Sequence, residues 1–226
     1  MQLLMTGLAV LILTAIVALS GFFIVADERR GTSSRTGSAV PPPATRDISS
    51  QRVDAAPLSL TEVFPNPEIQ LVAGATPYRV TTTHLDADCA TAATGLIGAR
   101  LRDEGCTQVV RAGLIAPYGG YQVTAGIVNL VDSSAATLLG DQIGPLVEAG
   151  DGTFAVLTAT PPAADGPVPL AQIGWHDVGH YLIYCAITRP DGQLINDDDP
   201  NASRITADLV ESYLGGTVLG RRSSHP

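Results

Sequence analysis

Residues 1–26 (MQLLMTGLAVLILTAIVALSGFFIVA) carry no charged side chain and are mostly apolar. A helix needs about 20 such residues to cross the hydrocarbon core of a bilayer. Lipid offers no partner for an open backbone group, so the run is expected as a membrane-spanning helix over residues 1–26. The rival reading is a cleaved leader, with Ala18-Leu19-Ser20 as the small-x-small site. Against cleavage, no basic stretch precedes the apolar run and Gly21-Phe22-Phe23-Ile24-Val25-Ala26 prolongs it past that site. An uncleaved anchor is favoured, and the working part of the chain lies downstream.

Orientation draws on two opposed signals. Arg29, Arg30, Arg35 and Arg46 follow the apolar run and no basic side chain precedes it, which by charge alone would keep the downstream part in the cytoplasm. Residues 27–56 are rich in Ser, Thr and Pro and lack an apolar period, and Pro41-Pro42-Pro43 stiffens them locally. They read as a disordered stalk of extracytoplasmic type, and a single-pass protein of the plasma membrane with its domain outside is the expected topology.

Residues 57–222 suffice for one globular domain, with 223–226 as a tail. The chain's net charge is −9, every cationic side chain apart from His is Arg, and no basic stripe is present, which excludes electrostatic nucleic-acid binding.

Within the domain, Tyr78 to Leu85 is rich in β-branched residues and is expected as a strand. Asp86 or Asp88 would cap a helix with Cys89, Ala93, Leu96, Ile97 and Leu101 inward, stopped by Gly105. Gln108–Ala116 and Tyr121–Val131 form a hairpin about Pro117-Tyr118-Gly119-Gly120. A second helix would bury Ala135, Leu138, Leu139, Ile143, Leu146 and Val147, and Thr153–Thr158 would be a short strand. Gln172–His176 and His180–Thr188 form another hairpin. A third helix carries Ile205, Leu209, Val210 and Tyr213 inward and ends at Gly215-Gly216. The order strand-helix-strand-strand-helix-strand predicts an α+β fold of ferredoxin-like (split βαβ) type: an antiparallel sheet, helices on one face, and an added C-terminal helix.

The sharpest chemical candidate is Trp175-His176-Asp177-Val178-Gly179-His180. Its H-x-x-x-H spacing mimics the zincin signature, but that chemistry needs a helix, and Gly179 and the β-rich run after it forbid one. As a hairpin, His176 and His180 would flank the turn as cross-strand neighbours and weak metal candidates. No third ligand lies at nearby spacing, so no metal or cofactor is expected. Asp197, Asp198 and Asp199 lack the spacing of a calcium loop and read as an acidic helix start, with Asn201-Ala202-Ser203 as part of the cap. Tyr118 and Tyr121 could form a ligand platform at a hairpin tip. Of Cys89, Cys106 and Cys185, two can pair in an oxidising compartment; the alternative is three buried thiols.

Several stretches carry a family likeness: Asp88-Cys89-Ala90-Thr91-Ala92, Gly105-Cys106-Thr107-Gln108-Val109-Val110-Arg111-Ala112, Ala116-Pro117-Tyr118, Gly174-Trp175-His176, Gly179-His180-Tyr181-Leu182 and Ile187-Thr188-Arg189-Pro190-Asp191-Gly192. Over residues 77–222 the chain resembles a family of uncharacterised actinobacterial single-pass membrane proteins. The resemblance implies a short tail, one membrane helix, a Pro/Ser-rich spacer and an α+β domain, and it carries no activity. The function expected is therefore a tethered, non-catalytic domain that binds a protein or small-molecule partner at the cell surface. The alternatives are a hydrolase or metal-dependent enzyme using His176 and His180, and a small-molecule sensor.

Overall fold

The structure is a computed structural model that describes residues 45–157 and 170–224. The anchor over residues 1–26 and the linker up to residue 44 lie outside the described residues. Among the described residues, no helix is long and apolar enough to cross a membrane.

The domain is α+β. Its elements are α1 (Leu60–Val63), β1 (Glu68–Ile69), β2 (Tyr78–Asp86), a 3₁₀ turn (Cys89–Ala92), α2 (Gly95–Asp103), β3 (Gln108–Ile115), β4 (Gln122–Asn129), α3 (Ser133–Glu148), β5 (Gln172–Val178), β6 (Tyr181–Thr188) and α4 (Pro200–Thr206). The last helix runs on as a π-type segment (Ala207–Leu219) and closes as α5 (Gly220–Ser224).

One six-stranded sheet has the order β1-β2-β3-β4-β6-β5, with every neighbouring pair antiparallel. This corrects the ferredoxin-like expectation. In a split βαβ, the strands flanking a helix are parallel and leave room for another strand between them. Here β2 and β3 flank α2 yet pair directly, with His84 opposite Arg111 and Leu85 opposite Val110. Thr153–Leu157 is not a strand: Phe154 makes an isolated bridge to Ala93 and stacks on the Tyr184 ring at 3.9 Å.

Helices cover both faces rather than one, because β3, β4 and β6 are buried along their length save at Ile115 and Gln122 beside the hairpin turn, and carry apolar side chains on both sides. On one face Val110, Val123, Ile127 and Ile183 meet Ile205, Leu209 and Leu214 of the C-terminal helix. On the other, Val109, Val128 and Leu182 meet Ile97 and Leu101 of α2 and Leu139 and Ile143 of α3. Leu96 and Leu138, expected inward, are exposed. The helix expected after Asp88 is split in two. Asp88 caps the 3₁₀ turn through Ala90 N at 3.0 Å, and Thr94 precedes α2.

Gly215-Gly216 does not end the last helix. Each Gly costs a helix about 1 kcal/mol relative to Ala, but Leu214, Val218 and Leu219 beside them are buried in the core and carry the helix through.

Residues 45–56 differ most from expectation. Read as the end of a disordered stalk, they form a strap across one end of the sheet. The Arg46 amide donates to the Ser223 carbonyl at 2.7 Å, His180 N to Ile48 O at 2.9 Å, and Ser133 N to Ser49 O at 2.9 Å. The Gln51 side-chain amide bridges Thr107 Oγ1 at 3.0 Å and the Gly105 and Asn129 carbonyls, both at 3.3 Å. Composition signals disorder through the lack of apolar burial, and this strap is held by backbone bonds and charge instead.

Candidate functional site

The hairpin around His176 and His180 forms as expected, but its geometry separates the two rings. Val178 pairs with Tyr181, so the turn is the two residues Gly179-His180, with Gly179 at φ +60°. His176 stands on β5 opposite Ile183 and is exposed. His180 folds inward from the turn and is 0 % exposed. Its Nδ1 lies 2.9 Å from the Leu130 carbonyl, which can only accept, so Nδ1 holds a proton. Its Nε2 lies 3.4 Å from Asp54 Oδ2. The rings are therefore not cross-strand neighbours and share no ligand. Among the described residues, no group of three or more His, Cys, Asp or Glu side chains is placed to hold a metal ion.

His180 instead joins a charged cluster centred on a strap residue. Asp54 is 1 % exposed. Arg222 grips it from two nitrogens, Nε at 2.7 Å and Nη2 at 2.9 Å. Arg46 reaches the same carboxylate at 2.5 Å, and the Tyr181 hydroxyl donates to it at 2.7 Å. Arg222 also donates to Glu62 at 2.7 Å and to the Ala56 carbonyl.

Burial pushes the Asp54 carboxyl upward, but the Arg222 guanidinium, the Tyr181 hydroxyl and the His180 ring outweigh it and hold the group below the usual carboxylate range. Burial likewise opposes the charge on Arg222, and Asp54 and Glu62 more than restore it, so its pKa rises. Tyr181 is pushed up by burial and by its bond to Asp54. Asp54 and Arg222 therefore stay ionised and paired, with the Tyr181 hydroxyl neutral beside them. A groove of about 330 Å³, lined by Arg46, Thr61, Glu62, Pro65, Val218 and Arg222 among others, opens beside it.

The Tyr118 and Tyr121 hydroxyls are engaged within the domain. Tyr118 donates to Asp208 Oδ2 at 2.5 Å, Tyr78 donates to the same oxygen at 2.8 Å, and Tyr121 donates to Asp199 at 2.7 Å. Burial and the bond to Asp208 push Tyr118 up to about 12. Asp199 caps α4 through Asn201 N and Ala202 N, both at 2.9 Å. Asn201-Ala202-Ser203 forms the first turn of that helix. Cys89 and Cys106 are joined in a disulfide that closes the base of the α2 excursion between β2 and β3. Cys185 is a free, buried thiol that burial pushes up to about 11.

Comparison with protein-family models, with curated proteins and with solved structures finds no match for this chain. Sequence reasoning missed Asp54, Arg46 and Arg222 as a unit. The available signal was Arg221-Arg222 closing a helix whose stretch 214–220 carries no charge, and nothing local to it names a partner 168 residues earlier.

Proposed function

We propose that this chain is a membrane-tethered, non-catalytic binding domain presented outside the cytoplasm, of the actinobacterial single-pass kind it resembles. The observation that carries the reading is the Cys89–Cys106 disulfide. Disulfides persist in oxidising compartments and are rare in the cytosol. With the uncharged run 1–26 as anchor, the strap at residues 45–56 is where the tether enters the domain, and the Asp54 cluster secures that point.

The closed state of the same cluster supports a non-catalytic role. Asp54 and His180 have no exposed edge, and both Asp54 oxygens and His180 Nδ1 already have partners. A general acid or base needs its reacting proton within hydrogen-bond reach of substrate, and neither group offers that.

Thiol trapping in intact cells tests the reading. Treatment with a membrane-permeant alkylating reagent should leave Cys89 and Cys106 unlabelled until a reductant is added, and the protein should stay with the membrane fraction after a high-salt wash. Labelling of both thiols without reductant, or recovery of the chain in the soluble fraction, overturns it.

A further inference from the structure

The two edges of the sheet are treated differently. The β1 edge is two residues long and bracketed by Pro65, Pro67 and Pro77, which leaves little backbone to pair with. The β5 edge is seven residues long, QIGWHDV, with no Pro, no Arg and no bulge; His176 is its one basic side chain. Its register across the two-residue turn decides which backbone groups are open. Val178 and Tyr181 flank that turn and form a hydrogen-bonded pair, and so do His176–Ile183, Gly174–Cys185 and Gln172–Ile187. The N–H and C=O groups of Ile173, Trp175 and Asp177 then point off the sheet, and among the described residues no backbone bond reaches them.

The side chains of those three residues share the α3 face. Asp177 accepts from Thr137 at 2.8 Å, and Gly140 and Gly144 leave space over the Trp175 indole. A groove of about 300 Å³ runs beside them, with Val147, Ile173, Trp175, Leu170 and Leu194 in its apolar lining. Leu170 is 53 % exposed and Leu194 is 67 % exposed. Glu148 and Asp197 stand on the rim, and among the described residues no Arg lines it.

We infer that β5 is a docking edge for an extended segment of a partner polypeptide that carries basic side chains. The segment adds a seventh strand through the Ile173, Trp175 and Asp177 backbone groups. Its alternate apolar side chains enter the groove on the α3 face, and basic side chains at the ends of the segment, free of the strand alternation, reach Glu148 and Asp197. A second copy of this chain fits less well, because two-fold pairing of β5 with itself would bring a net charge of −9 against its like. The inference rests on the reading of the chain as a binding domain and names the site and the partner chemistry.

Trp175 is the chain's single tryptophan, so its fluorescence reports this site alone. The full chain in detergent is titrated with the heptapeptide Arg-Val-Arg-Ile-Arg-Val-Arg, with its Glu-for-Arg counterpart, and with a version N-methylated at alternate amides. The basic peptide should give a saturable change and slow amide exchange at residues 173, 175 and 177. The acidic and N-methylated peptides should bind at least tenfold more weakly, and Glu148→Arg with Asp197→Arg should weaken the basic peptide by a similar factor. No saturable change with the basic peptide, equal binding of the N-methylated one, or protection of the same amides by self-association in the absence of peptide overturns the inference. Thiol trapping reads topology and peptide titration reads the edge, so either reading can fail while the other stands.

Discussion

Arg222 holds Asp54 in a two-point grip across 168 residues of chain, Nε at 2.7 Å and Nη2 at 2.9 Å. One residue lies in the last turn of the C-terminal helix, the other in the strap that leads back towards the apolar N-terminal run. Desolvating two charges offsets most of their attraction, so the pair is weak grounds for net stability. Its removal by halves is another matter, since a buried charge then remains with only its partly exposed second partner, Glu62 for Arg222 or Arg46 for Asp54.

Asp54→Ala should therefore destabilise the domain by about 3–5 kcal/mol in urea unfolding. It takes the shared carboxylate from Arg222 and Arg46 at one stroke and leaves the buried Arg222 to Glu62, whose side chain is 32 % exposed. A loss under about 1 kcal/mol would show that water reaches the cluster and screens it. Asp54→Leu combined with Arg222→Met should recover most of the loss, because the two buried charges go together and the partners left behind, Arg46 and Glu62, are 30 % and 32 % exposed and reach water.

The pH dependence has a definite sign. The native pKa of Asp54 lies below its ordinary value of 3.8, so its contribution is present above that value and is lost as pH falls through the native pKa. Tyr118 runs the other way, from 10.0 up to about 12, so its contribution is present below pH 10 and is lost between there and about pH 12. Tyr118→Phe should make the alkaline limb of the stability curve shallower, with Tyr181 and Cys185 still contributing to it, and leave the acid limb alone. An unchanged alkaline limb would mean that the bond to Asp208 does not matter to folding.

Reduction of Cys89–Cys106, which spans 17 residues, should lower stability by about 3 kcal/mol through the entropy returned to the unfolded chain. Thiol counting should find no reactive cysteine in the native oxidised protein and one, Cys185, after denaturation without reductant. A native count of one would place Cys185 within reach of solvent.

Gly179→Ala tests how the strap is seated. The residue sits at φ +60°, where an L side chain costs roughly 1–2 kcal/mol, and its new methyl would collide with the Ile48 carbonyl. That carbonyl receives the His180 amide at 2.9 Å. The variant should lose about 2 kcal/mol or more and become open to trypsin after Arg46 and Arg52. Gly192→Ala, at φ +70° with open space around it, should lose only the backbone part and resist cleavage like the parent. Equal behaviour of the two variants would detach the strap from this contact.

Local patterns carried a good share of the architecture. The runs that became β3, β4 and β6 are dense in Val, Ile, Thr and Tyr, the β-branched and aromatic types enriched in strands. Asp88, Asp132 and Asp199 cap helices in the structure, as a short polar acceptor ahead of an apolar period implies. The hairpin about Pro117-Tyr118-Gly119-Gly120 joins β3 to β4, with Ile115 opposite Gln122. Leu96 and Leu138 misled because a helix stripe read from period alone does not say how wide a face the sheet will cover.

The order of residues by itself determined the strands β2, β3, β4 and β6, the helix α3 and the hairpin turns near Gly119 and Gly179, because those follow from side-chain period and backbone freedom within a few neighbours. Only the tertiary structure decided that β2 lies directly against β3, that Cys89 meets Cys106, that His176 and His180 face different surroundings, and that a polar strap holds the buried acid of the domain. Those outcomes depend on contacts up to 168 residues apart, whose free energy arises from burial and charge pairing that exist only once the layers have closed.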